Sequence, residues 1–240
     1  MEVFYRMLSI HLGKPPTSFF WEWRDKDEAF HRHGEITPTA FFETYVDADL
    51  DDKVCLINAP TDDKPFERLY TVQYLGNVVD GEIVRYLNVD IETLKKAAVD
   101  MIQDGKAVWF GCDVGKWLER KMGIMDPSIY DYELVYGTKF QLDKADRLDY
   151  GHSRMTHAMV LTGVDLDDAG DPMKWRVENS WGTDLGDDGY MLMTDAWFDE
   201  FVYELTVSKT YLSSDLLAVL DAEPIVLPPW DPMGALAGSA

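Results

Sequence analysis

The sequence predicts an α+β fold, on three observations: helical periodicity in the early part, strand-like runs concentrated later, and turn signals separating them. At 240 residues, 46% hydrophobic and 13% aromatic, the chain has the make-up of a folded protein with a substantial core. Val3, Phe4, Met7, Leu8, His11 and Leu12 recur at helical spacing, and Gly13 with Pro15 and Pro16 ends that helix. Thr37 followed by Pro38 reads as an N-cap and first-turn proline, opening a short helix through Val46. An acidic loop follows at 47–52. Strands are predicted over 54–58, 69–79 and 82–89, with Asp80-Gly81 as a hairpin turn between the last two. Asp90 is placed to cap a helix with the apolar face Ile91, Leu94, Ala98, Met101 and Ile102, and Gly105 lies just past its end.

Residues 107–111 read as a buried strand and 113–150 as a mixed region. Strands over 157–164 and 173–181 are joined by the polar turn D-D-A-G-D. A strand at 190–193, a short helix capped by Thr194, a strand at 203–208 and a helix over 215–220 capped by Ser213 or Ser214 complete the pattern. From Glu223 onward four prolines and no periodicity predict an extended tail. The resulting division is a mainly helical or inserted region (1–105), a β-rich region (106–222) and an extended C-terminal arm (223–240).

Composition narrows the function. Forty-four acidic against 22 basic residues leave a formal net charge of −22, a field that repels phosphate backbones and argues against nucleic acid as a partner. The same field suits amine-bearing substrates, or simply keeps an acidic protein soluble. Cys55 and Cys112 are the two cysteines, each inside an apolar run, so no disulfide framework is implied. No apolar run approaches the ~20 residues of a membrane span, and the first residues carry charge throughout, unlike a signal peptide. The expected location is the cytoplasm.

The residues suited to chemistry are His157 and Asn179. Strand parity puts Asn179 on one face with Trp175, Val177 and Trp181, and puts His157 in phase with Met159 and Leu161. A buried amide and a buried imidazole on neighbouring strands satisfy each other, and the asparagine then orients the ring and leaves its second nitrogen free for a thiol. On spacing alone such a pair is more often a satisfied core contact than a catalytic one.

The wording around the pair goes further. T-H-A-M at 156–159 and W-R-V-E-N-S-W-G at 175–182 resemble the histidine and asparagine segments of papain-like cysteine peptidases, and most closely those of the bleomycin hydrolase / aminopeptidase C family. W-E-W-R-D-K-D at 21–27, Y-L-G-N-V-V at 74–79, V-W-F-G-C-D-V-G-K at 108–116, M-T-D-A-W-F at 193–198 and W-D-P-M-G-A-L-A at 230–237 extend the resemblance over nearly the whole chain.

The resemblance implies a papain-like fold: a helical N-terminal portion followed by an antiparallel, barrel-like lobe carrying histidine and asparagine. It implies a cysteine aminopeptidase in which His157 is the catalytic base, Asn179 its orienter and Trp181 the shield of their hydrogen bond. Asp231, Pro232, Met233, Gly234, Ala235, Leu236 and Ala237 match the C-terminal arm that in this family lies in the cleft and limits cleavage to free amino ends. No cofactor or metal is implied; peptides with a free N-terminus and a hexameric assembly are.

Two departures stand out. Gly238, Ser239 and Ala240 continue past the arm. The family's cysteine, at the start of a helix, belongs to an N-terminal half without a counterpart here, so the nucleophile-bearing lobe is expected to be missing and the chain to be inactive alone.

The alternatives are a non-catalytic split or truncated product acting as a binding subunit, recruitment of Cys112 or Cys55 as nucleophile, and a metal hydrolase built on His31 and His33. Asp113 beside Cys112 disfavours a thiolate there. Neither the phosphate-loop look of G-C-D-V-G-K nor the calcium-loop look of D-L-D-D-A-G at 165–170 has the required residues.

Overall fold

A computed structural model describes residues 2–46, 48–76, 81–140 and 142–237, with side chains through residue 234. The chain divides into two compact units, Met1–Asp51 and Asp52–Ala240.

The first unit opens with α1 (Glu2–Leu12), which ends at Gly13 with φ +84°. Its periodic apolar positions, Val3, Phe4, Met7, Leu8 and Leu12, are all exposed. An antiparallel hairpin follows, β1 (Phe19–Arg24) and β2 (Phe30–Ile36). The sequence reading missed it because its turn contains no glycine. Asp25 supplies the turn chemistry instead: its Oδ1 accepts from the backbone N–H groups of Asp27 and Ala29. Thr37 caps α2 (Pro38–Phe41) by accepting from the Ala40 N–H, and a π-helical turn continues to Val46. Trp21, Trp23, Phe41 and Tyr45 interleave over this hairpin, with Trp21 edge-on to Phe41 at 4.8 Å. Residue 47, the start of the expected acidic loop, lies outside the described residues.

The second unit is built on one sheet. Its strands are β3 (Lys53–Ile57), β4 (Arg68–Val72), β5 (Tyr86–Asn88), β6 (Val108–Cys112), β7 (Leu118–Glu119), β8 (Ile124–Met125), β9 (His157–Leu166), β10 (Pro172–Glu178), β11 (Tyr190–Thr194), β12 (Val202–Ser208) and β13 (Ile225–Leu227). The hydrogen-bonded order is β13-β4-β5-β3-β12-β6-β9-β10-β11-β8-β7. Pairing is mostly antiparallel, with parallel contacts at β3–β5, β4–β13 and β8–β11. Helices α3 (Ile91–Gln103), α4 (Tyr132–Tyr136), α5 (Lys144–Asp149), α6 (Asp195–Phe201) and α7 (Ser214–Val219) complete the unit.

Side-chain alternation sends Leu56, Val108, Phe110, Met159, Leu161, Trp175, Val177, Met193, Leu205 and Val207 to one face. Helix α3 lays Leu94, Ala97, Ala98 and Met101 on that core, and α6 adds Trp197, Phe198 and Phe201. Trp175 and Phe198 stack 4.8 Å apart and are both fully buried. Each such side chain contributes roughly 1.5–3 kcal/mol of apolar transfer. The caps act as read: Asp90, Thr194 and Ser213 accept from the N–H groups of Thr93, Trp197 and Leu216. Ser213, not Ser214, is the cap.

Several expectations need correction. Among the described residues the stretch 1–105 contains five strands as well as its helices, and three of them belong to the main sheet. The sheet is a linear series of eleven strands, not confined to 106–222. Among the described residues of the strand expected over 69–79, β4 ends at Val72 and Tyr74 takes a positive φ of 64° just after it. The turn residues 77–80, including Asp80, lie outside the described residues, although β4 and β5 do pair antiparallel. The tail is extended only in part: β13 pairs with β4, and Pro232–Ala237 forms a 3-10 turn. Residues 238–240 lie outside the described residues.

Candidate active site

Two edges of the β9–β10 hairpin meet at the site. His157 is the first residue of β9, paired across to Cys112 of β6, and β10 ends at Glu178, paired to Val160. The chain leaves the strand there, three residues before the expected end at 181, and the Asn179 N–H donates to Gly189 O. The hairpin register therefore delivers Asn179 beside His157.

Asn179 Oδ1 lies 2.8 Å from His157 Nε2. The Ser180 N–H donates to the same oxygen at 2.8 Å, and Asn179 Nδ2 points to Met191 Sδ at 3.7 Å. A backbone donor needs an acceptor, so the amide orientation is set, with oxygen toward the imidazole. That oxygen can only accept, so Nε2 is the donor, and in the neutral ring the lone pair is then on Nδ1. Trp181 stacks on the imidazole, with ring centroids 4.9 Å apart and planes 28° apart, and the Arg120 guanidinium lies 4.4 Å from the Trp181 ring centroid. His157, Asn179 and Trp181 are all half-buried.

A buried polar network, missed by the sequence reading, holds the chain entering β9. The Ser153 hydroxyl donates to Asp113 Oδ2 at 2.8 Å and receives the Tyr203 hydroxyl at 2.7 Å. The Asp113 N–H donates to Phe201 O, and the Thr156 N–H to Cys112 O. Asp113, Ser153 and Tyr203 come from three distant segments, and their local wording gives no hint of a shared role.

Neither cysteine is suited to ionise. Cys112 faces the core beside Phe110, fully buried, and burial together with the Asp113 charge pushes its thiol well up. Cys55 sits opposite Thr206 on β12; burial, then the charge of Glu204, pushes its thiol up to about 12. Neither opens a helix.

The remaining motifs take structural parts. His31 Nε2 pairs with Asp25 and His33 Nδ1 with the Tyr45 hydroxyl, so the two histidines serve different partners. Among the described residues no group of three or more His, Cys, Asp or Glu is placed to hold a metal, and no helix is long and apolar enough to cross a membrane. In the 165–170 stretch the Asp167 carboxylate accepts from the N–H groups of Ala169 and Asp171, which makes it a hairpin turn. The arm residues Asp231, Met233 and Gly234 are buried, not lying free. A cavity of about 920 Å³ bounded by Trp117, Tyr132, Phe140, Arg147 and Phe201 includes none of His157, Asn179 or Trp181 in its lining.

Comparison with known proteins places the chain in a family. The model of the Peptidase C1-like family matches residues 1–234. Aminopeptidase C of Listeria monocytogenes is 52% identical over 233 residues, 97% of this chain and 53% of that protein. Bleomycin hydrolase of Gallus gallus is 51% identical over 242 residues, 99% of this chain and again 53% of the relative. The crystal structure of PepW from Lactobacillus rhamnosis superposes with a TM-score of 0.94 at 53% identity, covering 98% of this chain and 53% of that one. The chain thus spans about half the length of the relatives it matches. Matched along 234 of its residues and half identical to these proteins, it belongs to the Peptidase C1-like family.

Proposed function

We propose that this chain supplies the histidine–asparagine half of a cysteine-type aminopeptidase. The observation that carries the proposal is the 2.8 Å bond from His157 Nε2 to Asn179 Oδ1, with the amide orientation set independently by the Ser180 N–H. An imidazole so held presents Nδ1 as a base in a defined direction, the arrangement a thiol nucleophile requires. Trp181 covers one face of the ring and keeps water from competing for that bond.

In the proposed reaction Nδ1 takes the thiol proton, giving a thiolate–imidazolium pair. The sulfur attacks the peptide carbonyl, a C–S bond forms, and the C–N bond breaks as His157 passes its proton to the leaving amine. Water then cleaves the thioester, with His157 as base. The burial and charge around Cys55 and Cys112 oppose either as that sulfur, so the nucleophile is assigned to sequence outside these 240 residues. By the same reading 231–237 is the cleft-directed arm that restricts cleavage to free N-termini, no cofactor is required, and the assembled enzyme is a cytoplasmic homo-oligomer, a hexamer by its resemblance.

Hydrolysis of a fluorogenic aminoacyl amide under reducing conditions tests this. The chain alone is expected to be inactive, and activity is expected when the cysteine-bearing sequence is supplied, abolished by iodoacetamide. Iodoacetamide-sensitive turnover by the chain alone would reassign the nucleophile to Cys55 or Cys112. Failure of the assembled pair to turn over would favour a non-catalytic binding subunit.

A further inference from the structure

We propose that Lys64 is a positioning residue: it latches Asp231 and thereby sets where the C-terminal arm begins its terminal turn. The inference deepens the aminopeptidase reading, and its specificity consequence rests on that reading.

The latch is built outward from the sheet. Asn88 on β5 is fully buried, and its amide accepts from the Ala59 N–H at 2.9 Å and donates to Ala59 O at 3.0 Å and Lys64 O at 2.7 Å. One side chain therefore pins both ends of the 59–64 loop to the sheet. The Lys64 ammonium then reaches Asp231 Oδ2 at 3.0 Å and Asp63 Oδ2 at 2.9 Å, with Thr61 Oγ1 at 3.5 Å. The side chains of Lys64 and Asp231 are only 4% and 5% exposed, whereas Asp63 is 64% exposed. Burial works against the charge on Lys64, but the two carboxylates more than offset it and hold the ammonium above the usual lysine range.

Asp231 uses its other oxygen on the arm itself. Oδ1 accepts from the Met233 N–H at 2.9 Å, and the Gly234 N–H donates back to Asp231 O at 2.9 Å. The carboxylate thus starts the Pro232–Ala237 turn while it is clamped to Lys64. Met233 is buried in the same apolar cluster as Val72, Tyr203 and Met155, and Met155 lies two residues before His157. A Cβ on Gly234 would stand 2.9 Å from Val72 Cγ1, so the turn lies flat against β4.

An apolar anchor such as Met233 tolerates sliding; a buried ion pair with the carboxylate also committed to a backbone N–H does not. The ionic contact is what fixes the arm's register. Removing the ammonium leaves Asp231 buried and unpaired, and the turn must shift to rehydrate it.

The test uses the assembled enzyme with two peptides of one sequence, one with a free N-terminus and one N-acetylated. Hydrogen exchange at the amides of 231–234 is read in the same samples. Lys64→Met is expected to speed that exchange and to raise acetylated relative to free-peptide cleavage by roughly tenfold or more. Lys64→Arg is expected to restore most of the ratio, and Lys96→Met, which breaks an exposed pair with Asp100, to leave it unchanged. Should Lys64→Met fail to fold, Asp231→Asn carries the same expectation. Unchanged exchange overturns the latch; faster exchange with an unchanged ratio overturns its role in specificity. Deleting 231–240 separates the layers: if that deletion also leaves the ratio unchanged, the arm reading itself fails, and if it alone changes the ratio, only Lys64's part fails.

Discussion

Replacing Glu204 with glutamine removes a carboxylic acid that the fold holds where a carboxylate is costly. Glu204 lies on β12 between Ile57 of β3 and Gly111 of β6 and is 4% exposed. Its Oε2 has no hydrogen-bond partner among the described residues. Across the ladder Gly111 offers no side chain, and the titratable groups facing the acid, half-buried Cys55 and buried Tyr86, are themselves neutral donors. Burial raises the Glu204 pKa from 4.5 to about 7, and the Cys55 thiol opposes this only weakly.

The folded-state value is above the unfolded one, so Glu204's contribution is fully present below about pH 4.5. It is lost as pH rises through about 7. A rise of that size corresponds to about 3 kcal/mol. Glutamine does not titrate. Urea unfolding of wild type and Glu204→Gln between pH 4.5 and 8 is expected to show the variant gaining about 3 kcal/mol relative to wild type over that range. Taking the difference cancels the other carboxylates. Parallel stability curves, or a variant that loses ground as pH rises, would refute the claim that Glu204 is buried at a desolvation cost. Because the Glu204 charge also holds up the Cys55 thiol, the variant should label faster at Cys55 with iodoacetamide above neutral pH.

In the assembled enzyme His157→Ala is expected to abolish turnover, and Asn179→Ala to lower kcat by about 10²-fold or more with a small change in KM; full activity in both variants would remove the site assignment. Lys144 is buried, donates to Val202 O at 2.6 Å, and burial lowers its pKa from 10.5 to about 7 despite nearby Asp199 and Glu200. Its folded value is the depressed one, so its contribution is present above about pH 10.5 and lost as pH falls toward 7. Wild type should therefore gain stability relative to Lys144→Met as pH rises from about 7 to about 10.5, measured by urea unfolding. Asp90→Ala removes bonds of 2.8 Å to both the N–H and the hydroxyl of Thr93 and should cost about 1 kcal/mol by urea unfolding. Trp175→Ala, at the fully buried stack on Phe198, should cost roughly 3–5 kcal/mol by the same assay.

Local chemistry made much of this legible. Asp90, Thr194 and Ser213 are caps because a short side-chain oxygen satisfies an N–H two or three residues on, an interaction that needs no tertiary partner. The strand at 157–164 was readable from its apolar run and the one from 173 from alternation, although the latter ends at Glu178 and not at 181; their polar turn was readable from Asp167 and Gly170, where φ is +91°. The β1–β2 hairpin escaped because a carboxylate replaces glycine in its turn, and 82–89 looked like a longer strand than β5 because β-propensity does not say where a chain must bend.

From sequence alone came the α+β class, the caps, and His157 with Asn179 as the pair to watch, since spacing and wording are local properties. Tertiary structure alone decided that the Asn179 oxygen, not its nitrogen, meets the imidazole, because Ser180 and Met191 fix the amide. It also decided that Glu204 is buried without a full set of partners, that Asp113, Ser153 and Tyr203 converge, and that Lys64 finds Asp231 across 167 residues. Such contacts join segments far apart in the chain, and their energies depend on burial and geometry that no local pattern carries.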